Sequence, residues 1–234
     1  MKKVNYSNAI LALFTLTIGA CATPDFVSND FKTKTSNHKT IAVLPVQMIF
    51  SGKQPKGLTP EQIIKIEDGE SRAFQISLYN NLLKQSGPKK KDIQISIQTV
   101  ERTNRILEEN EISIRQSWTE TPESLAKTLG VDAVIQSKVE KTRYMSDLAS
   151  FGIDLGVDIL EGVMGYPPYG VSPVPYGISK THDIRAECSL FNGSDGTLLY
   201  KDKYVRATDY NVRANEMIEH LTKKFSKTFP YRDK

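Results

Sequence analysis

Residues 121–144, TPESLAKTLGVDAVIQSKVEKTRY, predict a helix that passes directly into a strand. Thr121 can cap the helix, Pro122 suits its first position, and Gly130 ends it. The strand is predicted to begin at Asp132, and its residues alternate between the two faces of a sheet. The positions on one of its faces are Ala133, Ile135, Ser137, Val139 and Lys141. A helix joined to a strand in this way is typical of α/β domains.

Further strands and helices are predicted upstream of this unit. Thr40–Phe50, TIAVLPVQMIF, is a short apolar run typical of a buried strand, and Pro45 within it favours an edge position or a bulge. Thr59 followed by Pro60 marks a helix start, and the helix is expected to extend to Gln85. The other predictions here are a half-buried strand over Asp92–Gln98 and a short polar helix from Thr99.

The carboxy-terminal part predicts a hairpin and a closing helix. Thr181–Phe191 and Thr197–Ala207 flank NGSDG at 192–196, a turn whose residues tolerate positive φ. Asn211–Phe229 then has the apolar spacing of an amphipathic helix. The fold class expected is α/β: a single domain over residues 40–234 with a mixed sheet, helices packed against it, and a carboxy-terminal β-hairpin followed by a closing helix.

Composition excludes several classes of protein. The 234 residues carry 31 Lys and Arg against 27 Asp and Glu, so the net charge of +4 gives no polybasic surface and does not indicate a nucleic acid partner. Two cysteines cannot form a disulfide-dense scaffold or a four-cysteine zinc site. The histidines are scattered at His38, His182 and His220. No cofactor motif and no metal site is expected.

The amino terminus has the features of an export signal. Lys2 and Lys3 precede an apolar stretch over Ala9–Ile18, which is too short for a stable membrane-spanning helix. The stretch ends in Ile18-Gly19-Ala20-Cys21, which resembles the lipobox of bacterial lipoproteins: a branched apolar residue and two small residues before a cysteine. An ordinary signal peptide with a chance cysteine is the alternative interpretation.

The lipobox resemblance implies a lipid anchor. In bacterial lipoproteins a diacylglyceryl group is transferred to the cysteine sulfur, the chain is cleaved before that residue, and the new amino group is acylated. For this chain the implied sites are Cys21 for lipid and 1–20 for the signal peptide. Ala22 follows the cysteine, which favours the periplasmic face of the outer membrane over the inner membrane. Residues 21–39, with His38, are expected to form a solvated tether.

An insertion at 146–180 separates two strands that would otherwise be neighbours. Its first half fits a helix better than a strand, because the acidic residues then share one narrow stripe. Gly152 and Gly156 form a small-residue pair that permits close approach of another helix or of a bilayer. The predicted contact residues here are Phe151, Gly152, Leu155, Gly156 and Ile159. Packing of this helix on its own domain is the alternative.

The second half of the insertion, GYPPYGVSPVPYGISK at 165–180, is rich in proline and tyrosine. Such a segment is extended. Tyrosine suits a protein-binding segment or a lipid interface because its ring is apolar and its hydroxyl can hydrogen-bond to water. Tyr166, Tyr169 and Tyr176 are therefore further predicted contacts with a partner or a membrane. A plain surface loop is the alternative.

Three segments resemble a group of bacterial envelope proteins. They are IAVLPV at 41–46, LAKTLGVDAVIQSKV at 125–139 and SLFNGSDGTLLYKDKY at 189–204. They are similar to the lipoproteins related to the curli secretion channel subunit, to the penicillin-binding-protein activator lipoproteins, and to the amino-terminal domain of the TolB translocation protein. The resemblance implies an α/β fold and an envelope role in assembly or interaction, and it carries no catalytic residues.

No catalytic constellation is predicted. His182 and Asp183 point to opposite faces of one strand, and Cys188 stands six residues, or about 20 Å, from His182. Cys188 is expected to be a buried small residue. The leading hypothesis is a non-enzymatic, lipid-anchored envelope protein that contacts a protein partner, itself or the membrane through the insertion. The alternative is a subunit of an oligomeric secretion or transport assembly, and a hydrolase is a third hypothesis.

Overall fold

The computed structural model describes residues 23–53, 58–143, 182–208 and 214–232. The strands in these ranges are β1 Phe26–Val27, β2 Thr40–Val43, β3 Gln47–Gly52, β4 Ser96–Ile97, β5 Ala133–Arg143, β6 His182–Asn192 and β7 Leu198–Thr208. The helices are α1 Phe31–Lys34, α2 Pro60–Lys84, α3 Val100–Glu109, α4 Ile114–Ser117, α5 Pro122–Leu129 and α6 Ala214–Thr228. The insertion that was predicted at 146–180 falls between two of the described ranges.

The strands form one mixed sheet in the order β1-β7-β6-β5-β2-β4, and β3 follows β2 alongside β5. β2 and β3 pair with β5 in parallel, whereas β5, β6 and β7 are joined by antiparallel ladders. The parallel pairs arise because helices connect their strands, and the antiparallel pair β6 and β7 arises from the hairpin turn. The predicted fold class, a single α/β domain with a mixed sheet and a closing helix, is confirmed.

Pro45 divides the first predicted strand into two. Val43 lies opposite Ile135, and Gln47 lies opposite Lys138. The first chain therefore advances by four residues where β5 advances by three. The extra residue is a bulge, which accommodates the missing proline N–H without leaving a gap in the ladder. The sequence predicted one strand over Thr40–Phe50, and the structure has β2 and β3 instead, with the proline at the bulge.

Helices cover both faces of the sheet. α2 and α6 pack together on one face, and α3 and α5 pack on the other. The larger core includes Ile41, Val43, Phe74, Leu78, Leu82, Ile135, Leu190, Tyr200, Leu221, Phe225 and Phe229. The smaller core consists of Ala42, Leu44, Leu107, Leu125, Ala126, Leu129 and Val134. Alternate residues of β2 therefore face different cores, as the strand period of two requires.

The predicted helix ends are confirmed where they depend on capping residues. Thr59 and Gln62 form a reciprocal capping box at the start of α2, with Pro60 at the first helical position. Thr121 caps α5, and Gly130 ends it with a φ of 66°, a left-handed conformation that favours glycine.

The strand that was predicted over Asp92–Gln98 is much shorter than expected. Only Ser96 and Ile97 belong to β4, although Ile93 is buried in the core. The amide of Gln94 donates to the carbonyl of Tyr231, and the amide of Ile93 donates to that of Gln85. These bonds take the place of a ladder with β2 over the first half of the segment.

Candidate functional site

The residues predicted to carry function lie outside the described residues. Cys21 is one of them. The others are Phe151, Gly152, Leu155, Gly156, Ile159, Tyr166, Tyr169 and Tyr176. The structure does describe the chain that follows Cys21 and the chain on either side of the insertion. These flanking parts are residues 23–39, which follow the lipobox, and the strand ends at Arg143 and His182, which bracket the insertion.

Residues 23–39, here called the amino-terminal dock, lie on the domain. β1 adds to the edge of the sheet, with Phe26 opposite Lys201 and Val27 opposite Tyr200. The Ser28 amide then donates to the carbonyl of Leu199 at 2.9 Å. α1 follows within a few residues. This arrangement differs from the solvated tether that the polar composition predicted.

Aromatic contacts hold the amino-terminal dock against the carboxy terminus. The Phe31 ring meets the Tyr231 ring edge-on at 5.1 Å, a favourable geometry for aromatic pairs. His38 is half-buried, and its Nδ1 lies 2.8 Å from the Tyr231 hydroxyl. Burial lowers the pKa of His38 below its ordinary value, although the Asp132 carboxylate acts in the opposite direction.

An ion pair ties α1 to the hairpin turn. Lys34 Nζ donates to Asp195 Oδ2 and to Thr197 Oγ1, each at 2.8 Å. The hydrogen bond from Lys34 holds the pKa of the Asp195 carboxyl below its usual range. The amino-terminal dock is thus joined to the sheet edge, to the turn and to the carboxy terminus, all of which are distant in sequence.

A cleft of about 810 Å³ lies between the amino-terminal dock and the end of α6, and Thr23 is one of its lining residues. Its apolar lining consists of Pro24, Val27, Phe31, Phe229, Pro230 and Tyr231. Lys32, Lys227 and Arg232 also line it, and no acidic side chain does so among the described residues. Such a cleft combines an apolar surface with a few polar groups, which is typical of sites that bind small ligands.

The insertion begins and ends at paired strand ends. The β5 and β6 ladder continues to Arg143 opposite His182, which are the last and first residues of their strands. Paired residues of an antiparallel ladder have Cα atoms about 5 Å apart. The two described strand ends that flank the insertion therefore lie side by side.

A buried ion pair lies beside the base of the insertion. Lys141 Nζ contacts both carboxylate oxygens of Glu70, at 2.7 and 2.6 Å. The Lys141 ammonium also lies 5.5 Å from the Phe50 ring. Burial raises the pKa of Glu70, and the positive charge of Lys141 opposes that rise. The pair joins the end of β5 to the middle of α2.

The amino-terminal dock and the base of the insertion lie at different ends of β7. β1 pairs with Tyr200 and Lys201, whereas His182 pairs with Thr208. Seven residues separate Lys201 from Thr208, and a strand rises about 3.3 Å per residue, so the two places are about 23 Å apart along the strand.

Two buried polar side chains at the start of β7, Tyr200 and Asp202, have partners on α6. Asp202 is buried and accepts hydrogen bonds from Lys224 Nζ at 2.7 Å and from Thr228 Oγ1 at 2.8 Å. The Tyr200 hydroxyl lies 2.9 Å from the same threonine oxygen. These contacts fasten α6 to β7.

Cys188 is buried beside this network, as predicted. It lies opposite Asp202 on β7 and opposite Ser137 on β5. Burial raises the pKa of its thiol to about 12, so the reactive thiolate is scarce at neutral pH. Within the described ranges no group of three His, Cys, Asp or Glu side chains could hold a metal ion. None of the helices described is both long and apolar enough to cross a membrane.

Comparisons with known proteins give only distant structural likenesses. No family model matches the chain, and no curated protein matches it. The crystal structure of a lipoprotein from Neisseria meningitidis is 11% identical and covers 78% of this chain and 89% of its own, with a TM-score of 0.42. The LpoB carboxy-terminal domain from Salmonella enterica is 11% identical and covers 73% and 84%, with a TM-score of 0.37. A PelC dodecamer from Paraburkholderia phytofirmans is 11% identical and covers 82% and 87%, with a TM-score of 0.36.

The amino-terminal dock and the ion pair are absent from the sequence-based prediction. A strand of two residues has no period to detect, so β1 could not be predicted. The ion pair did leave a signal. Glu70 is four residues from both Ile66 and Phe74, so it lies on the apolar face of α2. Lys141 lies on the same face of β5 as the buried residues that precede it at every second position. Opposite charges on two buried faces predict a pair, because an unpaired buried charge is very costly.

Proposed function

We propose that this chain is a non-enzymatic lipoprotein of the bacterial cell envelope, anchored by lipid on Cys21, that presents its 146–180 insertion to a protein partner. The lipobox supports the anchor, and the separation of the two functional segments supports the presentation. The observation that carries the proposal is the distance of about 23 Å along β7 between the amino-terminal dock and the base of the insertion.

The short connection between the anchor and the domain fixes which part of the protein is near the bilayer. Phe26 is five residues from Cys21, and an extended chain spans at most about 3.5 Å per residue. The sheet edge at β1 would therefore lie within about 18 Å of the lipidated residue. Two or three acyl chains hold such a protein on a membrane durably. We expect the outer membrane, on its periplasmic face, since Ala22 follows the cysteine.

The base of the insertion is firmly built, which suits a segment that binds a partner. β5 and β6 are paired up to Arg143 and His182, and the Glu70 to Lys141 pair secures the end of β5. Ordering a bound segment costs less free energy when its ends are already fixed. A partner that grips the insertion would thus be connected to a rigid sheet and, through the amino-terminal dock, to the membrane.

Photo-crosslinking in living cells tests the presentation. A photoreactive amino acid replaces Phe151, Tyr166 or Tyr169 in turn, and the matched control carries it at Leu83, which is 42% exposed near the end of α2, far from the base of the insertion. We expect one envelope protein to be crosslinked from the insertion positions and not from Leu83. Crosslinks to lipid alone would contradict the proposal. Crosslinks to a second copy of this chain would favour the oligomeric secretion or transport assembly.

Deleting residues 146–180 separates presentation from folding. If the insertion is presented outward, the remaining domain should keep its far-UV circular dichroism and its cooperative unfolding, and it should lose the crosslinked partner. A deleted form that unfolds would show that the insertion belongs to the core.

A further inference from the structure

We infer that the cleft beside the amino-terminal dock holds one acyl chain of the lipid on Cys21. The inference rests on the proposed function, because it needs that lipid to be present. It goes further by assigning a binding site to the modification, with a fatty acyl chain as the ligand.

The short chain between the anchor and the cleft places this apolar surface within reach of the lipid. Thr23 lines the cleft and is two residues from Cys21. Because an extended chain spans at most about 3.5 Å per residue, the two Cα atoms lie within about 7 Å of each other. A chain attached to the Cys21 sulfur or amino group therefore starts close to a residue that lines the cleft.

The size and lining of the cleft match an acyl chain. Its volume of about 810 Å³ falls within the range of roughly 300–1,000 Å³ that small-molecule sites occupy. The half-buried rings of Phe31 and Tyr231 provide an aromatic wall that can contact methylene groups, and the core residue Phe229 lies behind them. Lys32 and Lys227 are exposed where they line the cleft, so they keep their charges in water.

Occupation of the cleft leaves the anchor intact. A lipoprotein of this kind carries up to three acyl chains, and two are sufficient for stable membrane binding. A chain in the bilayer leaves the apolar wall of the cleft in contact with water. A chain in the cleft shields part of that wall from water, which favours the cleft for the third chain.

Photo-crosslinking through the lipid itself tests this site. Cells are grown with a fatty acid that carries a diazirine, so that the acyl chains on Cys21 become photoreactive. The full lipidated protein is irradiated in membranes and digested, and the peptides linked to the Cys21 lipid are identified by mass spectrometry. We expect the linked peptides to include residues 228–232 of the same chain.

Two variants that fill the cleft, and one control outside it, test whether crosslinking depends on the cleft. Val27→Trp fills the cleft from β1, and Lys227→Trp does so from an exposed position of α6, so the failure of one to fold leaves the other informative. Both variants should reduce the amount of the 228–232 peptide that is crosslinked to the Cys21 lipid several-fold. Val205→Trp introduces the same ring at an exposed position outside the cleft and should leave the yield unchanged.

The other outcomes are distinct. If Cys21 carries lipid and its chains link only to membrane phospholipid, the inference is overturned and the lipid anchor stands. If the cleft peptides link to phospholipid chains instead of the Cys21 lipid, the inference is overturned as to the source of the chain. If Cys21 carries no lipid, both the inference and the proposed anchor fail.

Discussion

Lys141 Nζ lies 2.6 Å from Glu70 Oε2, and both side chains are buried between β5 and α2. Glu70 is fully buried and the Lys141 side chain is only 9% exposed, so each charge depends on the other for compensation. Because Lys141 is two residues before the end of β5, the pair ties the strand end at the base of the insertion to α2.

Removing one partner of this pair should destabilise the domain strongly. We expect Glu70→Ala to lower the free energy of unfolding by about 3–5 kcal/mol, because it leaves an uncompensated buried ammonium. The double variant Glu70→Leu with Lys141→Met should recover most of that loss. Urea unfolding measures both, and Lys65→Ala, at an exposed position of the same helix, is the control. Equal losses in the single and double variants would contradict the pairing argument.

Elements with local signals could be predicted from the sequence. Thr59 with Gln62 marks α2, Thr121 with Gly130 marks α5, and the glycine-rich turn at 192–196 marks the hairpin. The capping box at Ser113 and Gln116 gave an equally local signal for the short helix α4, which the prediction lacks.

Features that depend on distant residues could not be predicted in the same way. β1 exists because two residues find the edge of β7, and α1 is held by Tyr231 and Asp195. The polar composition of residues 23–39 is typical of a linker, and only the tertiary contacts give it a fixed position. The cleft likewise forms between segments about 200 residues apart in the chain.

The amino-terminal dock should contribute measurable stability through Phe31. Phe31→Ala removes a half-buried ring that packs edge-on against Tyr231, and we expect a loss of about 2 kcal/mol. The same variant should increase hydrogen exchange at the Ser28 amide. Phe26→Ala, at a side chain 42% exposed, should have a smaller effect. A Phe31 variant that unfolds like the wild type would show that the dock is not coupled to the domain.

Stability should fall in mild acid because of His38. Burial lowers the pKa of this residue below its ordinary value of 6.5, so the folded protein binds fewer protons than the unfolded chain between the two pKa values. The free energy of unfolding should therefore decrease as the pH falls below 6.5. His38→Gln should flatten that dependence. The urea midpoints of the wild type and of this variant are measured at about pH 7.5 and about pH 5.5. An identical pH dependence in the two proteins would rule out His38 as its cause.

Cys188 should be unreactive in the folded protein. Its thiol is fully buried and its pKa is raised to about 12, so alkylation needs the domain to open first. A form exported with a leader that is cleaved before Ala22 lacks Cys21 and keeps a single thiol. Iodoacetamide should label this thiol rapidly in urea and very slowly in buffer. Rapid labelling without denaturant would mean that Cys188 is accessible.

Anchoring should depend on Cys21 alone. The exported form that begins at Ala22 should appear in the soluble periplasmic fraction, because the lipid provides the membrane affinity. The wild type should stay with the outer membrane after a carbonate wash. If the form without Cys21 also stays with washed membranes, another part of the chain holds it there.

The mass of the amino-terminal tryptic peptide tests the central claim most directly. Trypsin cleaves after Lys32, so the peptide of the mature protein should be CATPDFVSNDFK, residues 21–32. We predict that its mass includes a diacylglyceryl group on the Cys21 sulfur and an acyl group on the new amino terminus. An unmodified Cys21, or a mature chain that begins at another residue, would contradict the account of a lipid-anchored envelope protein.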